Sequence, residues 1–330
     1  MSTVRRASRI LRWTLAGLVA AAGVVLLVPA VFGVSTLIGP AQLVALRGVT
    51  AIGVAVGAGA LLLVAVVLRL VRQRVAWVVV PALVLVVCAV AQVGIGVVRS
   101  VSPGPSSARS DLVVAGFNTE HGLVGDTAFV DFVRRNGIQV VMMPETDAAR
   151  AAALQRALSR AGLDFQRFGV QVGDTASSAT TLLVDQRLGS YRQVRAAATT
   201  LGSVAAVPVD GDGPRFVAVH TNPPIPNAAD MGRWRHDVPA GLSGCRGDAV
   251  VAGDFNATVD HGLFAPPAGC RDAAASTTST ATWPTSAPTW LGGAIDHVLA
   301  TEQWRAVRTD VQTLGGSDHR AIVAHLHRVG

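Results

Sequence analysis

The amino-acid sequence predicts an α/β protein, with a two-sheet α/β sandwich flanked by helices and preceded by three transmembrane α-helices. Three observations support this prediction. Long apolar runs fill the first hundred residues, which contain no Asp or Glu. Farther along the chain, short β-branched segments alternate with amphipathic helical segments and hairpin signals, a mixture typical of packed sheets covered by helices. Acidic, amide and histidine side chains recur where those β-branched segments end.

The three apolar runs occupy residues 13–34, 49–68 and 75–98. Each reaches the ~20 residues that a helix needs to cross a bilayer, and each is essentially free of charge. A cleaved signal peptide would account for the first run but not for the other two. A soluble domain of fully buried helices is the alternative, and it is disfavoured because helices without a polar face need apolar surroundings. Residues 1–99 are therefore predicted to form a three-span anchor.

Arginine placement predicts the orientation of the anchor. Arginines cluster before the first run and between the second and third runs, at Arg5, Arg6, Arg9, Arg12, Arg69, Arg72 and Arg74. By the positive-inside rule these two regions are cytoplasmic, and an odd number of spans places the rest of the chain outside the cytoplasm. Residues 100–110, rich in Ser and Pro, are predicted to be a flexible tether. Residues 111–330 are predicted to form one exported domain at the cell membrane.

Charge is divided unevenly between these two parts. All 28 basic residues are arginines, and nine of them precede residue 100, which leaves 19 against 21 acidic residues in the remainder. The net charge of +7 therefore comes from the anchor, and the exported domain is nearly neutral. The basic character of the whole chain is thus no evidence for nucleic-acid binding, which relies on clustered basic side chains.

Within the exported domain, strands are predicted at residues 111–117, 139–143, 180–184, 204–209, 216–220, 248–252, 294–300 and 321–326. Residues 127–136 predict an amphipathic helix with Phe129, Phe132 and Val133 on one side. A second helix at 147–161 begins with Asp147 as its N-cap. The Asp-Gly-Asp-Gly segment at 210–213 predicts a hairpin, and the Ser/Thr/Pro/Ala-rich segment 276–288 predicts an exposed loop.

The chain has three cysteines. Cys88 falls inside the third apolar run, where it serves as a small apolar residue. Cys245 and Cys270 are the only pair in the exported part, so a disulfide between them is favoured over two buried thiols. Their spacing matches no metal-binding motif.

Clusters of polar side chains follow or end the strand-like runs. They are Gly116-Phe117-Asn118, Met143-Pro144-Glu145, His220-Thr221-Asn222, Gly253-Asp254-Phe255-Asn256, Ile295-Asp296-His297 and Ser317-Asp318-His319. Carboxylate and amide oxygens without thiolates suit a hard cation such as Mg²⁺. Histidines beside carboxylates add a capacity for proton transfer. This set of side chains indicates metal-assisted attack on a phosphate ester.

In this order, from residue 111 to the C-terminus, the clusters resemble the endonuclease/exonuclease/phosphatase superfamily, which includes DNase I-like nucleases, inositol phosphatases and sphingomyelinases. The resemblance implies the DNase I-like fold and a Mg²⁺ cofactor, with Mn²⁺ as an alternative. It implies that the cation is bound mainly by Glu145, with Asn118 and Asp318 assisting. It implies five catalytic residues: Asp254 acting on the attacking water, Asn256 holding the phosphate, His319 oriented by Asp296 to stabilise the pentacovalent phosphate, and His220 donating to a non-bridging oxygen.

Other side chains near these clusters receive weaker interpretations. His297 is predicted to be a structural neighbour of Asp296, because adjacent side chains on a strand face opposite ways. Tyr191 is interpreted as a surface or packing residue and not as a positioning residue. Trp283 and Trp290 either rim the substrate cleft or pack in the interior. The remaining histidines, taken as surface or edge residues without a role, are His121, His236, His261, His325 and His327.

A three-span anchor joined to such a domain resembles a bacterial subgroup associated with teicoplanin resistance and lipid pyrophosphate dephosphorylation. This resemblance implies a lipid-linked phosphate substrate at the outer leaflet, such as undecaprenyl pyrophosphate, with membrane lipids as the partners of the anchor. An exported Mg²⁺-dependent nuclease is the alternative among enzymes, disfavoured by the neutral domain. A non-catalytic, membrane-anchored binding protein is the third possibility, disfavoured because the expected acids are present. Monoester and diester substrates both remain open.

Overall fold

The computed structural model of the chain describes residues 2–100, 109–211, 213–277 and 280–329. The first part is helical. Three of its four helices are long and apolar enough to cross a membrane. The helices are α1 (Ser2–Leu27), α2 (Pro40–Ala45), α3 (Arg47–Leu70) and α4 (Ala76–Ser100).

The first span differs from its predicted bounds of 13–34. Helix α1 ends at Leu27, and residues 28–37 form turns. Pro29 explains this end, because the residue before a proline is driven out of the helical conformation. The second and third spans match α3 and α4 to within a few residues, and the two helices pack along their length through a small core that includes Val54, Leu85 and Cys88.

The remaining described elements, from residue 109 onward, form the C-terminal domain. Its helices are α5 (Asp126–Asn136), α6 (Ala148–Arg160) and α7 (Ala228–Leu242). Its strands are β1 (Leu112–Gly116), β2 (Val140–Pro144), β3 (Phe165–Gln171), β4 (Ala179–Asp185), β5 (Tyr191–Val194), β6 (Ser203–Pro208), β7 (Arg215–His220), β8 (Ala249–Asp254), β9 (Cys270–Asp272), β10 (Asp296–Thr301), β11 (Trp304–Thr313) and β12 (Arg320–Arg328).

The strands form two mixed sheets of six strands each. One sheet has the order β11-β12-β1-β2-β4-β3, and the other has the order β5-β6-β7-β8-β10-β9. Alternate side chains of both sheets fill the space between them, with Val114 and Met142 from one sheet facing Phe216 and Val250 from the other. On the outer faces, α5 and α6 cover the first sheet and α7 covers the second. The predicted two-sheet α/β sandwich flanked by helices is therefore confirmed.

All eight predicted strands are present, and the four unpredicted strands of the described residues are the edge strands β3, β5, β9 and β11. The central strands β1, β2, β4 and β8 are buried at every residue, whereas residues on β3 alternate between buried or half-buried and exposed. An edge strand has fewer neighbours and carries more polar side chains, so its sequence lacks the continuous apolar run of a buried strand. Both predicted helices are present, and Asp147 accepts a hydrogen bond from the Arg150 N–H as the N-cap of α6.

The anchor is docked directly on the domain. The Arg47 guanidinium donates two hydrogen bonds of 2.6 Å to the Asp260 carboxylate. Arg99, at the end of α4, donates two more to the same carboxylate at 2.7 and 3.0 Å. Burial opposes ionisation of Asp260, but the hydrogen bonds and charges of the two arginines outweigh it and lower the pKa of the carboxyl. Residues 101–108 of the predicted tether lie outside the described residues.

The prediction that His261 is a surface residue is wrong, because the anchor covers it. His261 is fully buried, and its Nδ1 accepts a hydrogen bond of 2.9 Å from the Thr258 N–H. The proton is therefore on Nε2, which donates to the Ala41 carbonyl of α2 at 2.9 Å. The Ser35 hydroxyl accepts from the Gly262 N–H in the same interface. Residues 35–47 thus form an interface segment and not a solvated loop.

The arginine-rich ends of the anchor lie far from the domain. Helix α3 starts beside the domain at Arg47 and runs for 24 residues, roughly 36 Å at 1.5 Å per residue. At the far end of α3, the Arg12 guanidinium of α1 lies 5.5 Å from the ring of Trp77, the second residue of α4. The domain and the arginine clusters therefore lie at opposite ends of the bundle.

A disulfide joins Cys245 and Cys270, 25 residues apart. It links the turn after α7 to the edge strand β9, so the expected bridge is confirmed. Cys88 is a buried free thiol within α4.

Candidate active site

The end of β8 presents Asp254 to the site because a glycine precedes it. Gly253 has a φ of 143°, and a Cβ at this position would lie 2.0 Å from the Val219 carbonyl oxygen of β7. Only glycine permits this approach. Parallel pairing of β7 with β8 then aligns His220 with Asp254, so that both side chains leave the sheet at the same edge.

Two residues of the site have left-handed backbone conformations. Glu145 has a φ of 57°, directly after β2, and Asn256 has a φ of 45°, two residues after β8. Non-glycine residues adopt this conformation at a cost of about 1–3 kcal/mol and are concentrated at functional sites. At both positions the turn ends a buried strand and directs a polar side chain away from the core.

Asn118 holds two carboxylates together. Its side-chain nitrogen donates to Glu145 Oε1 at 3.0 Å and to Asp254 Oδ2 at 3.1 Å. Its side-chain oxygen accepts from the Glu120 N–H at 3.0 Å. Asn118 was predicted to assist at a metal, but in this arrangement its nitrogen, and not its oxygen, faces the carboxylates. Its observed contribution is to orient Glu145 and Asp254.

His319 is hydrogen-bonded to Asp296, with 2.8 Å between Nδ1 and Oδ2. Its other nitrogen, Nε2, lies 3.8 Å from Asp254 Oδ2. Burial lowers the pKa of His319, but the negative charges of Asp296 and Asp254 outweigh burial and raise the pKa to about 10. The ring is therefore an imidazolium at neutral pH, and it supplies positive charge to the site.

Asp254 and His220 are shifted toward their neutral forms. Burial and the nearby Asp296 raise the pKa of Asp254 to about 7, against the opposing charge of His319. Burial and the like charge of His319 lower the pKa of His220 to about 3. His220 Nε2 lies 3.8 Å from Asp254 and 3.9 Å from Glu145, so the ring is a neutral group beside both carboxylates.

Asn256 and Asp318 lie at the margin of this group. The Asn256 N–H donates to Asp254 Oδ1 at 2.8 Å, while its side chain donates to the Thr221 carbonyl at 2.9 Å. Asp318 is about half exposed, and its Oδ1 is 3.8 Å from His319 Nε2. The indole of Trp283 donates to Asp318 Oδ2 at 2.9 Å, which places this tryptophan at the rim of the site.

The loop before β10 supports the site from behind. Residues 276–288 were predicted to form an exposed loop, and this is wrong for Thr282, which is fully buried. Its hydroxyl accepts from the N–H groups of Ile295 and Asp296, each at 3.1 Å. The polar composition of the loop predicted exposure. Thr282 is nevertheless buried, because the hydrogen bonds of its hydroxyl are satisfied inside the protein.

The structure also places a histidine that the sequence left without a role. His121 Nε2 lies 3.1 Å from Glu145 Oε2, on an exposed turn where Glu120, His121 and Gly122 all have positive φ. The available signal in the sequence was that His121 lies three residues after Asn118. By contrast, His297 behaves as predicted: it is buried and bonded to Asp272 and the Ala257 carbonyl, not to the site. Tyr191 packs on Phe216, also as predicted.

The donor set fits a hard divalent cation. Asp254 and Asp296 each offer a carboxylate oxygen, and these oxygens lie within 4.8 Å of each other and of a ring nitrogen of His319. Asp296 Oδ1 is buried and, among the described residues, lacks a hydrogen-bond partner. Glu145 adds carboxylate oxygens, one of which accepts from the same Asn118 nitrogen as Asp254 does. Carboxylate oxygens of this kind are the ligands that Mg²⁺ and Mn²⁺ prefer.

Two mixed sheets that bring carboxylates and histidines to one common edge are the architecture of the DNase I-like proteins. A model of the Endonuclease/Exonuclease/phosphatase family matches residues 115–319, which include every residue of the candidate site. The chain belongs to this family. Its members include phosphatases and nucleases, and they typically hydrolyse phosphodiester or phosphate-ester bonds.

Solved structures are similar to about two thirds of this chain. A humanized D. rerio TDP2 with 14 mutations is 14% identical, covers 66% of this chain and 98% of its own, and has a TM-score of 0.49. An endonuclease/exonuclease/phosphatase from Beutenbergia cavernae is 19% identical, with coverages of 67% and 72% and a TM-score of 0.48. The mannosyl-6-phosphatase Bt3783 of Bacteroides thetaiotaomicron is 13% identical, with coverages of 66% and 100% and a TM-score of 0.47. No curated protein is significantly similar in sequence.

Proposed function

We propose that this protein is a membrane-anchored, metal-dependent phosphoesterase that acts outside the cytoplasm on a lipid-linked phosphate or pyrophosphate, such as undecaprenyl pyrophosphate. The observation that carries the proposal is the site itself. Glu145, Asp254 and the His319–Asp296 pair converge at one edge of both sheets, through side-chain contacts of 2.8 to 3.8 Å. Carboxylates next to a positively charged imidazole are suited to phosphoryl transfer.

The cation would be held mainly by Glu145, while Asp254 is placed to act on the attacking water. His319 Nδ1 and Asp296 Oδ2 are already bonded to each other, which makes the Glu145 oxygens the better ligands. When bound, the cation supplies charge neutralisation at the phosphate. Asp318, half exposed beside His319, is a further oxygen at the same edge.

The chain's own side chains account for the remaining steps. Asp254 orients the attacking water and accepts its proton, a role that a carboxylate with a raised pKa performs well near neutral pH. His319, held by Asp296, donates a hydrogen bond to the phosphate oxygens as negative charge builds up on them. His220, neutral and buried, donates to a second phosphate oxygen, and Asn256 helps to hold the group in place.

Two observations support a lipid-linked substrate. The domain is docked on the anchor through Asp260, so the site is held within a short distance of the membrane surface, where lipid phosphates are concentrated. The chain beyond residue 100 has 19 arginines against 21 acids, so the domain lacks the excess of basic charge that a nuclease uses to hold a nucleic acid.

The test is substrate hydrolysis by the full-length protein reconstituted in lipid bilayers, read as product formation for each substrate. Undecaprenyl pyrophosphate, a phosphodiester lipid and double-stranded DNA are compared, each with Mg²⁺ and with EDTA. We expect Mg²⁺-dependent release from the lipid pyrophosphate, abolished in Asp254→Asn, with little DNA cleavage. Rapid Mg²⁺-dependent digestion of DNA without release from either lipid would instead establish the nuclease. Binding without turnover of any substrate would establish the non-catalytic alternative.

A further inference from the structure

A cavity of about 590 Å³ lies where α3 and α4 meet the domain. Its volume falls within the roughly 300–1,000 Å³ of small-molecule pockets. Ala55 of α3 and Gly96 of α4 line its helical walls, and Thr258, Asp260 and Trp290 line its domain wall. None of the described residues of the candidate active site lines it, so the cavity is a separate feature.

The cavity faces the surface that the spans would present to lipid. Ile52, Val90 and Val97 line it, and they are 46%, 67% and 55% exposed. All three lie on helices that are long and apolar enough to cross a membrane. Within a bilayer these side chains meet hydrocarbon, so the part of a ligand that lies between them is an aliphatic chain.

One polar side chain inside the cavity lacks partners. Gln92 of α4 is 2% exposed and lines the cavity, and among the described residues neither its amide oxygen nor its amide nitrogen has a hydrogen-bond partner. A buried amide left in this state is energetically unfavourable. A single water would satisfy it but would fill only a small part of this volume, since a water occupies about 30 Å³. The ligand therefore carries a polar group along or beside its apolar chain.

The rim of the cavity next to the domain is positively charged. Arg47, Arg99 and Asp260 all line it, and the two guanidinium groups share the single carboxylate. Two positive charges against one negative charge leave this end with a net positive charge. An anionic group is complementary to it.

We propose that this cavity is a binding site for one anionic membrane lipid. Its hydrocarbon chain lies between α3 and α4, a polar linkage meets Gln92, and its phosphate headgroup lies at the Arg47–Arg99 rim. The inference rests on the proposed function only in requiring that α3 and α4 lie in a membrane. It does not require that the domain hydrolyse anything.

Two substitutions fill the cavity from opposite walls. Gly96 lines the cavity, and an added Cβ there meets no atom within 4 Å, so Gly96→Leu adds volume at the cavity wall. Ala55→Leu does the same from the exposed face of α3. Gly94→Leu is the matched control, because Gly94 also has open space around it, lies on the same helix and does not line the cavity.

The experiment is native mass spectrometry of the full-length protein, delipidated in detergent and titrated with phosphatidylglycerol or phosphatidylcholine. We expect one phosphatidylglycerol per chain, weaker binding of phosphatidylcholine, and about a ten-fold loss of affinity in Gly96→Leu and Ala55→Leu but not in Gly94→Leu. Thermal unfolding of each variant reports folding, and Ala55→Leu carries the test if Gly96→Leu does not fold.

Three outcomes would overturn the inference: unchanged phosphatidylglycerol binding in both cavity variants, an equal loss in the Gly94→Leu control, or equal affinity for the two lipids. Asp254→Asn separates the inference from the proposed function. This variant should lose hydrolysis and retain the bound lipid. If the parent protein binds the lipid but hydrolyses no substrate, the proposed function fails while the lipid site stands.

Discussion

His319 Nδ1 lies 2.8 Å from Asp296 Oδ2, and the two residues belong to different sheets. Asp296 begins β10 in the second sheet, and His319 directly precedes β12 in the first. The pair therefore forms only when the two sheets have packed. Its hydrogen bond both orients the imidazole and keeps it charged, because the carboxylate raises the pKa of His319. Packing of the core and assembly of the site are thus one event.

Removing the charge of Asp296 should inactivate the site without removing the ring. In Asp296→Asn we expect the pKa of His319 to fall from about 10, because its anionic partner is gone. We expect kcat to fall by about 100-fold or more, since the ring loses both its charge and its orientation. NMR titration of the imidazole and steady-state kinetics measure the two effects.

The control is Asp272→Asn, which breaks the similar His297–Asp272 pair outside the site. It should lower the melting temperature and leave kcat of the folded protein unchanged. A full loss of activity in the control, or an unchanged His319 pKa in Asp296→Asn, would contradict the assigned role.

Glu145→Gln should remove most of the Mg²⁺-dependent activity without unfolding the domain. The substitution keeps the size of the side chain and removes the charge that would hold the cation. We expect at least about a 100-fold fall in kcat at saturating substrate, and a higher Mg²⁺ concentration for half-maximal activity. Glu302→Gln, at an exposed turn after β10, is the control. Parental Mg²⁺ dependence in Glu145→Gln would show that the cation lies elsewhere.

Asp260 should stabilise the docking of the anchor, and this effect should depend on pH. Asp260→Asn leaves Arg47 and Arg99 without their shared carboxylate, and loss of one partner from a largely buried pair costs about 3 kcal/mol. The pKa of Asp260 is lowered in the folded state, so its stabilisation is fully present above the unfolded value of 3.8 and is lost as the pH falls through the lower folded value.

The measurement is the melting temperature of the full-length protein in detergent between pH 7 and pH 3. The difference between parent and Asp260→Asn should be constant above about pH 5 and shrink below about pH 4. Asp131→Asn, at an exposed position of α5, should match the parent throughout. A parent–variant difference that is absent at pH 7 would refute the docking contribution.

The disulfide predicts one free thiol per chain. Thiol counting on unreduced, denatured protein should detect Cys88 alone, because Cys245 and Cys270 are bridged. Replacing both bridged cysteines with serine should lower the free energy of unfolding by roughly 3 kcal/mol in the chain-entropy model. Three free thiols per chain would exclude the bridge in the expressed protein.

The arginine distribution predicts that the domain lies outside the cytoplasm. A periplasmic or extracellular reporter fused after Gly330 should be active, and the same reporter inserted at residue 73, between α3 and α4, should be silent. External protease applied to intact cells provides an independent measurement, since it should remove the C-terminal domain. Protection of the domain, with activity of the reporter at residue 73, would reverse the orientation.

The sequence alone was enough to predict the three apolar helices, the eight inner strands and the residues of the candidate site. Each of these features leaves a local pattern. A span is a long uncharged run, and a strand such as β8 is buried on both faces and therefore mostly apolar. Asp254 ends β8, and Glu145 directly follows β2.

The tertiary structure decided what has no local pattern. Edge strands such as β3 are partly solvated, so their composition resembles that of loops. The contacts of Asp260 with Arg47 and Arg99 join residues more than 150 positions apart, and neither the burial of His261 nor the cavity at Gln92 exists until the anchor docks. His121 and Thr282 reach the site only when their loops pack against Glu145 and against the start of β10. A sequence records which side chains are available, whereas distances between them arise only when the sheets and helices pack together.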